Sequence, residues 1–149
     1  MKYFLLPLLM VTGLIKGYTQ EPFVKQYEIG TPISMVKTKD GGYALTGDES
    51  VHTSQGIIRK SYLLKTNHKG DTLWKKMYGG EQDYTSSSLQ QTSDGGFIIS
   101  GLLGSNWQGY GDKYLLIKTD NQGELIWQKS YMSNGAENNI TVKQTLSGG

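Results

Sequence analysis

Asp48, Glu49 and His52 fall within five residues of one another. Two carboxylates and an imidazole are ligand types that zinc accepts, and three or four such groups make a site. A solvated loop is the simpler reading of the same three residues. The other histidine, His68, lies at a turn where a related segment has Asn121. The hydroxyl run Thr85-Ser86-Ser87-Ser88 offers oxygen nucleophiles, but no histidine nearby in the repeat activates them. It reads as the start of a strand. Asp83, Asp94 and Asp112 are near turns, where aspartate bonds local backbone amides. Calcium held by such carboxylates and by loop carbonyls is chemically open, and no other cofactor is implied. Trp107 and Tyr110 sit in a polar loop, Gly104 to Asp112. Exposed aromatics there suit stacking on a sugar ring or a protein partner. Folding back over a neighbouring unit is the simpler reading of the same two residues.

Several chemistries are excluded outright. The 149 residues contain no cysteine, so disulfides, thiolate metal sites and cysteine nucleophiles are out. No Gly-x-Ser-x-Gly elbow, phosphate-binding loop or His-Glu-x-x-His motif is present. Lys2 followed by the apolar run Tyr3 to Ile15 and the small residues near Gly17 has the plan of a secretory signal peptide, over residues 1–19. About 13 apolar residues fall short of the roughly 20 that span a bilayer. Once the leader is cut, no membrane span is expected. The leader holds two of the 15 basic residues and none of the 13 acidic ones, so the remaining chain is neutral. It has no basic stripe for phosphates, which argues against nucleic acid as a partner.

The elements that position these residues come from a repeat. Lys39-Asp40-Gly41-Gly42-Tyr43-Ala44-Leu45-Thr46-Gly47 returns 54 positions later as Ser93-Asp94-Gly95-Gly96-Phe97-Ile98-Ile99-Ser100-Gly101. Tyr62-Leu63-Leu64-Lys65-Thr66-Asn67 returns 53 later as Leu115-Leu116-Ile117-Lys118-Thr119-Asp120. Gly70, Trp74 and Tyr78 return as Gly123, Trp127 and Tyr131. Phe23 to Tyr27 echoes the segments that begin at Trp74 and Trp127, and Gln144 to Gly149 echoes Gln91 to Gly96.

Each unit reads as four strands. In the second they are Ser88–Ser93, Phe97–Leu103, Lys113–Thr119 and Glu124–Tyr131, punctuated by glycine turns. No sustained helical period occurs. Ten strands are expected, grouped one, four, four and one. Four antiparallel strands per repeat of this length predict an all-β fold made of blades of a partial β-propeller, about two and a half repeats. Residues 20–149 then divide into a fourth strand of a preceding blade (20–31), a first repeat (32–80), a second (81–131) and a truncated third (132–149). A sandwich of hairpins or an open β array would fit the same pattern. Trp74 and Trp127 are expected in equivalent, largely buried sites.

The third turn recurs as Asn67-x-x-Gly70-x-x-x-Trp74 and Asp120-x-x-Gly123-x-x-x-Trp127. It resembles the Asp-box of sialidase-type propellers and the tryptophan-docking motif of quinoprotein-type propellers, differing from each by one residue before the glycine. The resemblance implies structural roles for Asp120, Gly123 and Trp127: the acidic residue holds the turn and the tryptophan packs between blades. Asp40, Gly41, Gly42, Asp94, Gly95, Gly96, Gly70 and Trp74 are read as turn and packing residues too. The whole repeat resembles a family of secreted bacterial propeller-like repeat proteins, over residues 23–149. Members usually carry several repeats and often a C-terminal sorting domain. The resemblance implies an extracytoplasmic location, periplasm or cell surface, and further blades from the same longer chain.

The function expected is a non-catalytic repeat module, binding a glycan or a cell-surface protein or serving as a scaffold. Trp107 and Tyr110 are its candidate ligand contacts, and no residue is assigned a catalytic role. The alternative is a fragment of an extracytoplasmic propeller enzyme: a glycosidase, lyase or quinoprotein.

Overall fold

The structure, a computed structural model, describes residues 24–54, 56–104, 113–132 and 140–145. The expected leader lies outside the described residues, and so do Trp107, Tyr110 and Asp112. Among the described residues the fold is all-β and has no helix.

Eight strands are arranged in two sheets. The first holds β1 (Thr31–Lys37), β2 (Tyr43–Thr53), β3 (Gly56–Thr66) and β4 (Thr72–Tyr78). The second holds β5 (Tyr84–Gln91), β6 (Phe97–Leu103), β7 (Lys113–Thr119) and β8 (Leu125–Met132). Each sheet is an antiparallel meander in chain order. Their irregularities match as well. The register shifts between Pro32 and Ser34 and between Ser86 and Ser88, then between Lys65 and Thr66 and between Lys118 and Thr119. Residues 24–29 and 140–145 belong to no ladder, so eight of the ten expected strands are formed among the described residues.

Three boundaries differ from the sequence reading. β5 starts at Tyr84 and ends at Gln91, so the hydroxyl run lies inside the strand. Thr85 and Ser86 are buried there, because serine and threonine can satisfy their hydroxyls within a seam between sheets. β8 runs one residue later than expected at each end. His52, expected in a loop, sits in β2 opposite Ile57. The β2–β3 hairpin extends to Thr53 and Gly56. β1 begins opposite Asp48 and β4 ends opposite Ser61, so its last rungs project beyond the sheet.

The period-2 alternation of strands gives each sheet two faces. Ala44, Leu63 and Tyr78 of the first sheet meet Leu89, Phe97, Ile99, Leu115 and Ile117 of the second in one core, with Tyr84 at its margin. The opposite face of the first sheet presents Leu45, Tyr62 and Leu64, against which Tyr27 and Ile29 pack.

Candidate functional site

The residues that recur in sequence build the seam between the sheets and the turns that hold it. In the β1–β2 turn the Asp40 carboxylate accepts from the Thr38 hydroxyl at 2.5 Å and from the Gly42 amide at 3.1 Å. The Lys65 ammonium reaches it from β3 at 2.8 Å and also donates to the Thr66 carbonyl at 2.8 Å. The β5–β6 turn repeats every contact: Thr92 to Asp94, Gly96 amide to Asp94, Lys118 to Asp94, and Lys118 to the Thr119 carbonyl.

Each lysine is buried while its carboxylate stays mostly in water; for Lys65 and Asp40 the side-chain exposures are 6% and 59%. The lysine thus ties a turn to the strand two along the meander. Gly41 and Gly95 take the positive φ the turn needs, 84° and 86°. Gly42 and Gly96 answer a different demand. A Cβ there would stand 2.8 Å from the Lys65 ammonium or 2.6 Å from that of Lys118, and would overlap the carbonyl of Thr66 or Thr119. Donors around Asp40, the Lys65 ammonium foremost, hold its carboxyl at about 2. For Asp94 the Thr92 hydroxyl leads and Lys118 follows, with the same result of about 2.

The third turn of each sheet is closed by its leading side chain. The Asn67 amide oxygen accepts from the backbone of Lys69 and Asp71, and Asp120 accepts from Gln122 and Glu124. Gly70 and Gly123 occupy the left-handed region, φ 77° and 78°. Gly123 also receives Trp74, whose ring lies so close that a Cβ would stand 2.7 Å from it. Trp74 meets Phe97 edge-on, centroids 6.1 Å apart. Around this contact Tyr78 donates to the Gly123 carbonyl at 2.8 Å, and Lys76 reaches Glu124 at 2.5 Å. Residues 24–27 dock on the first sheet in the same way: Tyr27 donates to the Gly70 carbonyl at 2.7 Å, and Lys25 pairs with Asp71 at 2.7 Å.

Trp74 and Trp127 face Lys65 and Lys118 at matching ladder positions, and both are half-buried rather than largely buried. Each stands on the outer strand of its sheet.

A second polar group lies at the opposite end of the seam, and sequence reasoning missed it. The Ser86 hydroxyl meets Ser61 at 2.7 Å and Thr46 at 3.1 Å, and it donates to the Gly47 carbonyl at 3.1 Å. The Ser86 amide donates to Asp48 at 2.6 Å. Arg59 bonds Asp83 through its backbone amide at 2.7 Å and through its guanidinium at 3.2 Å. Burial pushes the Asp48 carboxyl above its ordinary value despite these donors. The sequence signal for this group is the hydroxyl run at 85–88, which reads as the start of a strand and not as part of a buried seam.

The candidate zinc set does not converge. Asp48 turns to Ser86, Glu49 pairs with Lys75 on the other face, and His52 is about 13 Å further along β2 at ~3.3 Å per residue. Among the described residues no group of three His, Cys, Asp or Glu side chains is arranged to hold a metal ion.

A cleft of about 350 Å³ opens on the seam between β4 and β8. Tyr84 and Gln128 line it, with a 3.1 Å bond from the Gln128 amide to the Tyr84 hydroxyl, and the Lys76–Glu124 pair stands at its rim. No family model matches the chain, and no curated protein matches it.

Proposed function

We propose that the two sheets are neighbouring blades of a secreted, non-catalytic β-propeller-like module, and that the end bearing its unlike connections binds a glycan or a protein partner. The observation that carries this reading is the division of labour between the two ends of the sheets. At one end both sheets carry the same turns, and their carboxylates and amides are spent on holding the fold. At the other end the connections differ: β2 and β3 meet in a projecting hairpin, while β6 and β7 are joined by residues 104–112, with Trp107 and Tyr110 among them. Binding residues concentrate on connections held by a rigid scaffold, and aromatic side chains supply stacking area there.

Export is supported by the leader-like first residues. Glycan-array binding of the chain, compared with Trp107→Ala and Tyr110→Ala variants, tests the proposal. Loss of a bound glycan in both variants is expected. A glycan retained at full strength by both removes the two aromatics from the binding face.

A further inference from the structure

We infer that the cleft between β4 and β8 binds a neutral polyhydroxyl ligand, a single hexose ring that is free or at the end of a glycan. It is a second site, built from residues other than those of the loop that carries Trp107 and Tyr110.

The cleft has a fixed wall and a polar rim. Tyr84 opens β5 and is only 7% exposed, because its ring belongs to the core shared by the two sheets. Its hydroxyl accepts from the Gln128 amide at 3.1 Å. A phenol that accepts still has its own O–H to donate, and among the described residues no acceptor takes it. The Gln128 carbonyl oxygen is likewise left over by that contact. The Lys76 ammonium meets Glu124 at 2.5 Å, which uses one of its three N–H donors and one carboxylate oxygen. Met77 and Leu125 line the same cleft and are 39% and 51% exposed.

These groups select the ligand by its chemistry. Buried polar groups are normally paired, so the unused O–H of a buried tyrosine marks where a ligand oxygen belongs. The lining offers donors and acceptors together: Tyr84 and Lys76 donate, Gln128 and Glu124 accept. A sugar hydroxyl does both, so one that accepts from Tyr84 can donate to Gln128. The opposite charges of Lys76 and Glu124 cancel, which leaves no net attraction for an anion or a cation. A zwitterion would have to break that pair to use it. Met77 and Leu125 give apolar surface to the C–H face of a sugar ring. The volume of about 350 Å³ stands at the lower end of the range for small-molecule sites, roughly 300–1,000 Å³, and suits one ring rather than a length of polymer.

The test titrates the chain with glucose, galactose and mannose, and with lactose and maltose, followed by saturation-transfer NMR. At least one sugar should bind in the millimolar range. Equal binding of a disaccharide and its monosaccharide marks a glycan end as the source, and binding of the monosaccharide alone marks a free sugar. Tyr84→Phe and Gln128→Ala should each weaken binding about five- to tenfold, the loss of one hydrogen bond. Gln128 is exposed, so its truncation keeps the fold even where Tyr84→Phe disturbs it, and thermal midpoints check both. The Trp107→Ala, Tyr110→Ala double variant should bind these sugars at full strength, which separates this site from the one proposed above. The inference is overturned if none of the five sugars binds at tens of millimolar, if both cleft variants bind as the natural chain does, or if the double variant loses the sugar. Glycine or acetate bound in preference to the sugars overturns it too, because the cleft then selects charge.

Discussion

Tyr78 donates its hydroxyl to the carbonyl oxygen of Gly123 across the seam, at 2.8 Å. The bond joins the outer strand of one sheet to the third turn of the next. It also explains why two residue types recur together at that spacing. The turn needs glycine for its φ of 78°, and the same glycine leaves room for Trp74 beside the carbonyl. Burial holds the tyrosine hydroxyl well above its ordinary pKa, so it remains a donor at any physiological pH.

Tyr78→Phe should cost about 1–2 kcal/mol, because it removes the bond and leaves a buried carbonyl unpaired. Tyr62 is the internal contrast. Its hydroxyl is buried and has no hydrogen-bond partner among the described residues. Tyr62→Phe removes an unmet polar group and should leave stability unchanged or raise it by up to about 1 kcal/mol. Urea unfolding of the two variants checks the pair; equal losses would mean that ring packing, not the bond, governs Tyr78.

Gly42→Ala and Gly96→Ala should each destabilise by about 2 kcal/mol or more. The added methyl meets a lysine ammonium and a strand carbonyl, and the carbonyl cannot move without breaking the ladder. Gly80→Ala is the control, since nothing lies within 4 Å of a Cβ there. It should change stability by less than about 0.5 kcal/mol. Denaturant midpoints of the three variants decide the matter.

The glycine turns were legible because a tight hairpin restricts residue type so strongly that the same letters return 53 or 54 positions on. The strand cores β6 and β7 were legible because their apolar runs are continuous, and their bounds match the sequence reading. Lys65 and Lys118 were not read as buried. A lysine in an apolar strand resembles a solvent-facing residue unless its partner is seen, and Asp40 and Asp94 lie 24 or 25 residues away in sequence. The extent of the β2–β3 hairpin was illegible for another reason. Its outer rungs have no flanking strands, so neither face is covered and no alternation develops. The seam at Ser86 was hidden by its polarity: hydroxyls that satisfy one another in the interior carry the same letters as hydroxyls in water.

Acid should loosen the lysine-tied turns. Asp40 and Asp94 have folded pKa values of about 2, below the roughly 3.9 of an unfolded aspartate. A depressed carboxylate contributes stability above its unfolded value and loses it as pH falls, here between about pH 4 and pH 2. Both carboxylates are more than half exposed, so solvent screening keeps the contribution modest. Asp48 works with the opposite sign. Burial raises its folded pKa, so protonation on acidification relieves a buried charge. Urea midpoints at pH 5 and pH 2.5 should fall less in an Asp40→Asn, Asp94→Asn double variant than in the natural chain. Parallel falls would assign the acid sensitivity to other groups.

The two repeat tryptophans should respond differently to truncation. Trp74 packs on the Gly123 turn and against Phe97 across the seam, so Trp74→Ala opens a gap between two sheets. Half-burial sets the loss at about 2–4 kcal/mol, near the lower part of the range for large aromatic truncations. Trp127 holds the matching ladder position, and the contact given for its ring is the Lys129 ammonium, 5.4 Å from the centroid. Trp127→Ala should cost less than about 1 kcal/mol, the worth of an exposed cation–π contact. Chemical denaturation followed by far-UV circular dichroism measures both without relying on tryptophan emission. Equal losses would mean that Trp127 is already packed as Trp74 is, and that the face it stands on is closed.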